Sequence, residues 1–390
     1  EYFKRTAQFI VQMDNLKRKV DYGSLKNASL EELQLLNKKL YEDVLSSTGA
    51  YDSSFANPVY ACEKLGEDYG RLMSFLYVEI RGMIVYAYEK RTAYMTALAE
   101  LFVEIYCMFE ENSDIPRYKS VLDSVYWYVS DYSDDAIEYR ISEMLNPEYS
   151  FATNIIMNSD LNDLRYLYSF GEYITENEIN TAKYLNSLSQ NEIESMASTF
   201  TQGYKIGFEL GNKDLSKKKT VNIRYSIGFE RLVKEEIKQF EQMGLKSTIY
   251  RAAPDSINKR MHLKIGYFST SPNKQMDYDH RFDNALYLDS QFVERKLGAL
   301  KLAYEKNKEL AGQFGGPAVM EIFGENPFEP VDKKESLHLD EKQQKLSVKY
   351  DNEASAIVNT YIKGEERSFT IIAYPIPEIG DNYEKIFDET

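Results

Sequence analysis

The densest run of groups that could do chemistry is Asp277-Tyr278-Asp279-His280-Arg281-Phe282-Asp283. Hard oxygen donors at alternating positions are how a calcium loop begins. The pattern then breaks. Arg281 and Phe282 stand where a further ligand and the turn glycine belong, and Leu288 stands where the closing glutamate belongs. Acidic residues favour helix starts, so a polar loop capping the next helix is the expected role. The functional alternative is a ligand-facing loop at the edge of a sheet, carried by Asp277, Asp279, His280 and Asp283.

Other constellations fall short of a catalytic centre. The histidines are His262, His280 and His338, and none has a second histidine at helical spacing. A metal site needs several ligands at one point, and no HExxH pattern supplies them. Glu100 and Glu104 share a helix face, but a carboxylate bundle also needs a Glu-x-x-His partner, and no histidine precedes His262. No GxSxG elbow or P-loop occurs. The glycines of GQFGG (Gly312, Gly315, Gly316) follow a helix and precede a strand, the reverse of phosphate-loop order, so an αβ turn is expected. Tyr225-Ser226-Ile227-Gly228-Phe229 has one glycine and lacks dinucleotide-loop spacing. Glu79 and Arg81 interrupt an apolar segment two residues apart, so each must pair with another helix or mark an edge. Catalytic and metal residues are therefore assigned to none of these positions.

Composition limits the function classes. The 390 residues exceed one ordinary core, and roughly two to three domains are expected. A net charge of −15 repels phosphate backbones and anionic lipid, so no nucleic-acid or membrane partner is expected. Lys217, Lys218 and Lys219 read as a solvated lead-in to a strand. Cys62 and Cys107 sit in apolar helical stretches as small buried hydrophobes, without a disulfide framework. Apolar runs such as 83–88 are broken by charges, and no signal segment opens the chain. A cytoplasmic protein is the expectation. Tyrosine is abundant, 32 copies against a single tryptophan, which suits half-buried helix faces. The chain opens on Glu1 and closes on NYEKIFDET without a stop signal, so a longer product is expected.

The elements that must position these residues divide near residue 214. Residues 1–214 read as an all-α N-terminal half. Ser29 with Glu32, Thr175 with Glu178, and Ser189 with Glu192 are capping boxes. Asn57-Pro58 starts a helix, and the apolar spacing through Ile105 predicts two long antiparallel helices or one bent one. From 215 to 390 the period changes, and an α/β domain with a mostly parallel sheet is expected. Residues 220–225 alternate like a strand, 229–243 are amphipathic and stop at Gly244, and 247–250 form a second strand. That is a βαβ unit with a right-handed crossover. Helices follow over 289–310 and 352–362, with strands over 318–323 and 368–374. The last strand carries too little polarity for an exposed face, as in a central strand covered on both sides.

The second part resembles a known family. TVNIRYSIGFERLVKEEIKQFEQMGLKSTIYRA looks like the opening strand–helix–strand of metal-dependent aminopeptidases of the aminopeptidase T and aminopeptidase S type. AVMEIFGENP and RSFTIIAYPIPEIG resemble later strands of the same first domain, with Tyr374-Pro375-x-Pro377 the most telling step. The resemblance spans about residues 217–390. The helical half is similar to the N-terminal extension of clostridial members described as leucyl aminopeptidases.

The resemblance implies removal of N-terminal amino acids from peptides by two metal ions, zinc or cobalt. Such ions bring a bridging water to nucleophilic strength and polarise the scissile carbonyl. The family's ligands lie in a second domain, beyond Thr390, so no residue here inherits a catalytic role. Peptide substrates and a homodimer are the partners it implies. A standalone helical and α/β module that binds peptides or a partner is the alternative.

Overall fold

The structure is a computed structural model that describes residues 1–110, 114–259 and 264–390. Among the described residues, the first half holds ten α-helices. They are α1 (Tyr2–Asp21), α2 (Leu30–Tyr41), α3 (Pro58–Leu65), α4 (Glu67–Arg81), α5 (Met83–Tyr88), α6 (Thr92–Glu110), α7 (Tyr118–Leu145), α8 (Phe151–Asn158), α9 (Glu176–Ser187) and α10 (Gln190–Leu210). The second part runs β1 (Thr220–Arg224), α11 (Glu230–Gln242), β2 (Lys246–Thr248), α12 (Lys274–Asp279), α13 (Ser290–Lys306) and α14 (Lys308–Gln313). It ends with β3 (Phe314–Phe323), α15 (Glu341–Tyr361), β4 (Thr370–Pro375) and α16 (Tyr383–Glu389). The fold is thus all-α followed by α/β, and the four strands form one parallel sheet in the order β2-β1-β3-β4.

Local sequence sets most helix starts. All three capping boxes close reciprocally, at α2, α9 and α10. Asn57 caps α3 with Pro58 in its first turn. The stretch after it forms four helices, where two long ones or one bent one were expected. Gly66, at φ +84°, separates α3 from α4, Gly82 separates α4 from α5, and Lys90, at φ +59°, lies between α5 and α6. Positive φ at Gly66 and Lys90 breaks the ladder of i→i−4 hydrogen bonds whatever the apolar period says, while Gly82 keeps a helical φ of −55°. α6 is long and apolar enough to cross a membrane by length and composition, contrary to the reading that charges interrupt every such run. In the fold it buries Leu98, Leu101, Phe102 and Ile105 against the other helices.

The sheet is wound in both directions. β1 to β2 steps one way, and the later connections step back past β1 to β3 and β4. Right-handed crossovers then require helices on opposite faces. Val221, Ile223, Ala318, Met320 and Tyr374 share one core with α9, α10, α11 and α16. Phe292, Val293 and Leu300 of α13 share the other with α4, α5, α6 and α7. The order reverses between β1 and β3, the place where open α/β sheets leave a crevice beyond the strands' carboxyl ends. Each core takes residues from both sides of position 214.

Several details depart from expectation. β4 is an edge strand, and Phe369 and Ile371 are 63% and 56% exposed. Its apolar run therefore does not mark a strand covered on both faces. Gly315 and Gly316 belong to β3 itself and make no turn. Gly316 has φ +113°, and a Cβ there would overlap the Ser368 carbonyl, so close strand approach explains the glycine. Lys218 is buried, with its ammonium donating to the Gly312 carbonyl at 2.9 Å, and is no solvated lead-in. The second strand, expected over 247–250, stops at Thr248. α15 begins eleven residues before the expected start at 352, behind a capping box of Asp340 and Gln343. Cys62 and Cys107 are half-buried free thiols where full burial was expected.

Candidate functional site

A cleft of about 1730 Å³ lies between the α7–α13–α15 layer and the sheet. It reaches Arg224 at the end of β1, Tyr250, 252–254 and 256–259 beyond β2, and Glu325 and Asn326 beyond β3. These are the carboxyl ends on both sides of the switch between β1 and β3. The cleft is therefore where the sheet's topology places a ligand.

The segment from Asp277 to Asp283 borders this cleft, with Asp277, His280 and Asp283 on its wall. It forms α12 and the turn after it, while the cap of α13 is Asp289, which accepts from the Phe292 amide at 2.8 Å. Asp279 is 1% exposed and is not among the residues that line the cleft. It accepts from the Lys333 ammonium (2.6 Å), the Tyr51 hydroxyl (2.7 Å) and the Gln275 amide (2.7 Å). His280 is held between the Asp283 carboxylate (2.8 Å) and the Ala56 carbonyl (2.7 Å). Burial opposes its protonation, but Asp283 and the Ala56 carbonyl outweigh that and raise its pKa. The segment thus locks the helical half to the α/β part, with Asp277 left nearest to open space. His338 is exposed, 3.3 Å from the Lys333 carbonyl, and His262 lies outside the described residues.

The metal pair implied by the resemblance does not fit these residues. Among the described residues no three His, Cys, Asp or Glu side chains converge as a ligand set. The nearest donors, Asp279, His280 and Asp283, already spend their lone pairs and protons on Lys333, Tyr51, Ala56 and one another. Glu104 of the acidic pair on α6 accepts from the Ser124 hydroxyl at 2.6 Å.

Glu79 and Arg81 each pair with a different neighbour. Arg81 donates to Asp43 (2.6 Å) and to the Leu40 carbonyl, with its guanidinium over the Phe9 ring. Glu79 lines the cleft and accepts from the Ser256 amide at 3.2 Å. Burial, with the nearby Asp255 charge, raises its pKa to about 8.

Arg224 belongs to no motif of the sequence. Its Nε donates to Asn222 Oδ1 at 2.9 Å, and Asn222 in turn donates to the Thr248 carbonyl and hydroxyl at 3.1 and 3.2 Å. Asn222 is fully buried. The sequence carried a signal: Asn222 and Arg224 are two apart in an alternating strand, so they share a face, and that face is polar.

No protein-family model, curated protein or solved structure matches the chain.

Proposed function

We propose that the chain forms the N-terminal region of a two-metal aminopeptidase that releases N-terminal amino acids from peptides. In this reading the metal-binding domain follows Thr390, and the protein is cytoplasmic. The α/β part walls the substrate cavity or contributes to a homodimer, and the helical half acts as lid, gate or oligomer contact. One observation carries the reading. Three segments with family resemblance, over a hundred residues apart at the extremes, meet as β1–α11–β2, β3 and β4 of a single parallel sheet. The Tyr374-Pro375 step fits this role. Tyr374 is buried and stacks on Phe387 with centroids 5.1 Å apart, and the Ile376 amide donates to the Phe323 carbonyl.

The test is expression of the whole reading frame and assay of leucyl-p-nitroanilide hydrolysis with added zinc or cobalt. The longer product should turn the substrate over, and residues 1–390 alone should not. A stop codon directly after Thr390 would sink the proposal. The cleft itself favours a second reading, a non-catalytic module that binds a peptide or partner; that reading predicts ligand binding without metal in the complete natural protein.

A further inference from the structure

The Arg224 guanidinium faces the cleft already aimed. Asn222 is 0% exposed, and its whole amide is spent on the arrangement: Nδ2 is fixed by Thr248, so Oδ1 holds the Arg224 Nε. Thr248 is fixed in its turn, its hydroxyl donating to the Met144 carbonyl at 2.8 Å. Burying a polar side chain at this depth costs stability unless all of its bonds are met. Here they are met, and the outcome is an oriented guanidinium. Its two terminal nitrogens make no hydrogen bond or ion pair with any described residue. The planar fork therefore points at open space with paired donors of carboxylate or phosphate geometry.

The surroundings are cationic. The Arg140 guanidinium lies 4.0 Å from the centre of the Tyr250 ring, and that of Arg224 lies 5.9 Å from the same ring. Arg140 donates to the carbonyls of Arg251 and Ile265. Its carboxylate neighbour Glu143 lies 3.7 Å away, and burial, with the nearby Glu89 charge, raises the Glu143 pKa. Glu172 is held by Arg251. The Lys264 ammonium also lines the cleft, 5.3 Å from the Phe268 ring centre and donating to the Ser269 carbonyl at 3.2 Å, with its other protons left for a ligand. In a chain of net charge −15, this end of the cleft is a local positive focus.

We propose that Arg224, oriented by Asn222 and assisted by Lys264, is an anion subsite that receives the carboxylate or phosphate group of a small ligand in the cleft. The inference rests on the sheet geometry alone and stands whether or not the chain belongs to a peptidase.

Calorimetric titration of the 390-residue chain tests it, with trialanine, trialanine amide and inorganic phosphate as probes. Trialanine should bind, and the amide should bind roughly tenfold more weakly or worse, as expected for loss of a charge-assisted hydrogen bond. R224Q should lose the difference between acid and amide. R224K, which keeps charge but not the fork, should recover only part of it, and K264Q should weaken binding less than R224Q. A circular-dichroism melt of each variant checks that it is folded. Phosphate binding that depends on Arg224 while trialanine binding does not would support the subsite and assign it to phosphate. If no probe binds, or if folded R224Q and R224K bind as the unmodified chain does, the proposal is overturned.

Discussion

Arg251 holds Glu89 at 2.7 Å although 162 residues separate them, and each side chain is only 3% exposed. The same guanidinium also engages Glu172 and the Phe170 carbonyl. One cation beyond the end of β2 thus satisfies acceptors from the turn after α5 and from the segment before α9. Removing one partner of a buried pair leaves the other charged and unsolvated. Arg251→Met should therefore destabilise the fold by about 3–5 kcal/mol. Urea unfolding followed by tyrosine fluorescence would measure it, and a loss under about 1 kcal/mol, the range of exposed pairs, would contradict the assignment.

Glu79 makes stability fall as the solution becomes alkaline. Its folded-state pKa, about 8, lies above the ordinary 4.5 because burial disfavours the charged form. Between those values the folded chain binds a proton that the unfolded chain has released. The stability this adds is fully present below pH 4.5 and is lost as pH rises through about 8. Glu143, raised to about 8, and Glu230, raised to about 7, act in the same direction. Glu79→Gln should flatten the fall. Melts from pH 5 to pH 8 should show its advantage over the parent growing with pH; parallel curves would refute the mechanism.

Gly316→Ala should disrupt the pairing of β3 with β4. The residue sits at φ +113°, and the added methyl would overlap the Ser368 carbonyl. Strain in the backbone and a steric clash act together here, so a loss well beyond the roughly 1 kcal/mol of an ordinary glycine substitution is expected. Amide exchange in β4 would report it. A variant that melts with the parent would show that the strands can move apart cheaply.

Asp340→Ala removes the capping box of α15, whose side chains form one wall of the cleft. The expected loss is about 1 kcal/mol, concentrated in that helix. Exchange of the first-turn amides of α15 should speed up while those of α11 stay unchanged. Uniform acceleration across both helices would indicate global unfolding instead.

How much of this was legible depended on how local each cause is. The boxes at Ser29, Thr175 and Ser189 involve atoms three residues apart, and each formed as read. The βαβ opening was legible because Gly244 and the change of period mark its joints. The position of β4 was not, because nothing in an apolar strand says whether a helix will cover its second face. Phe369 and Ile371 look central in sequence and lie open at the edge. Gly315 and Gly316 looked like a turn because glycine records only that space is short, not which chain segment takes it. At the site, Asp279 and His280 were singled out by type, but their partners Tyr51, Lys333 and Ala56 lie far away in sequence. Arg224 was within reach of strand periodicity, and only the depth of Asn222 shows why it matters.

The interlocking of the two cores bears on how the protein is made. Phe200 and Tyr204 on α10 pack their rings against Phe240 of α11, and α10 also lies along β4. Phe75 and Leu76 on α4 lie in the same core as Phe292 and Val293 of α13. During synthesis the helical half leaves the ribosome first, with two greasy flanks and nothing yet to close them. It must wait, collapsed and sticky, for well over a hundred further residues. Holding chaperones should therefore engage this nascent chain for longer than one built from self-contained modules, and a protease cut between α10 and β1 should leave two insoluble pieces.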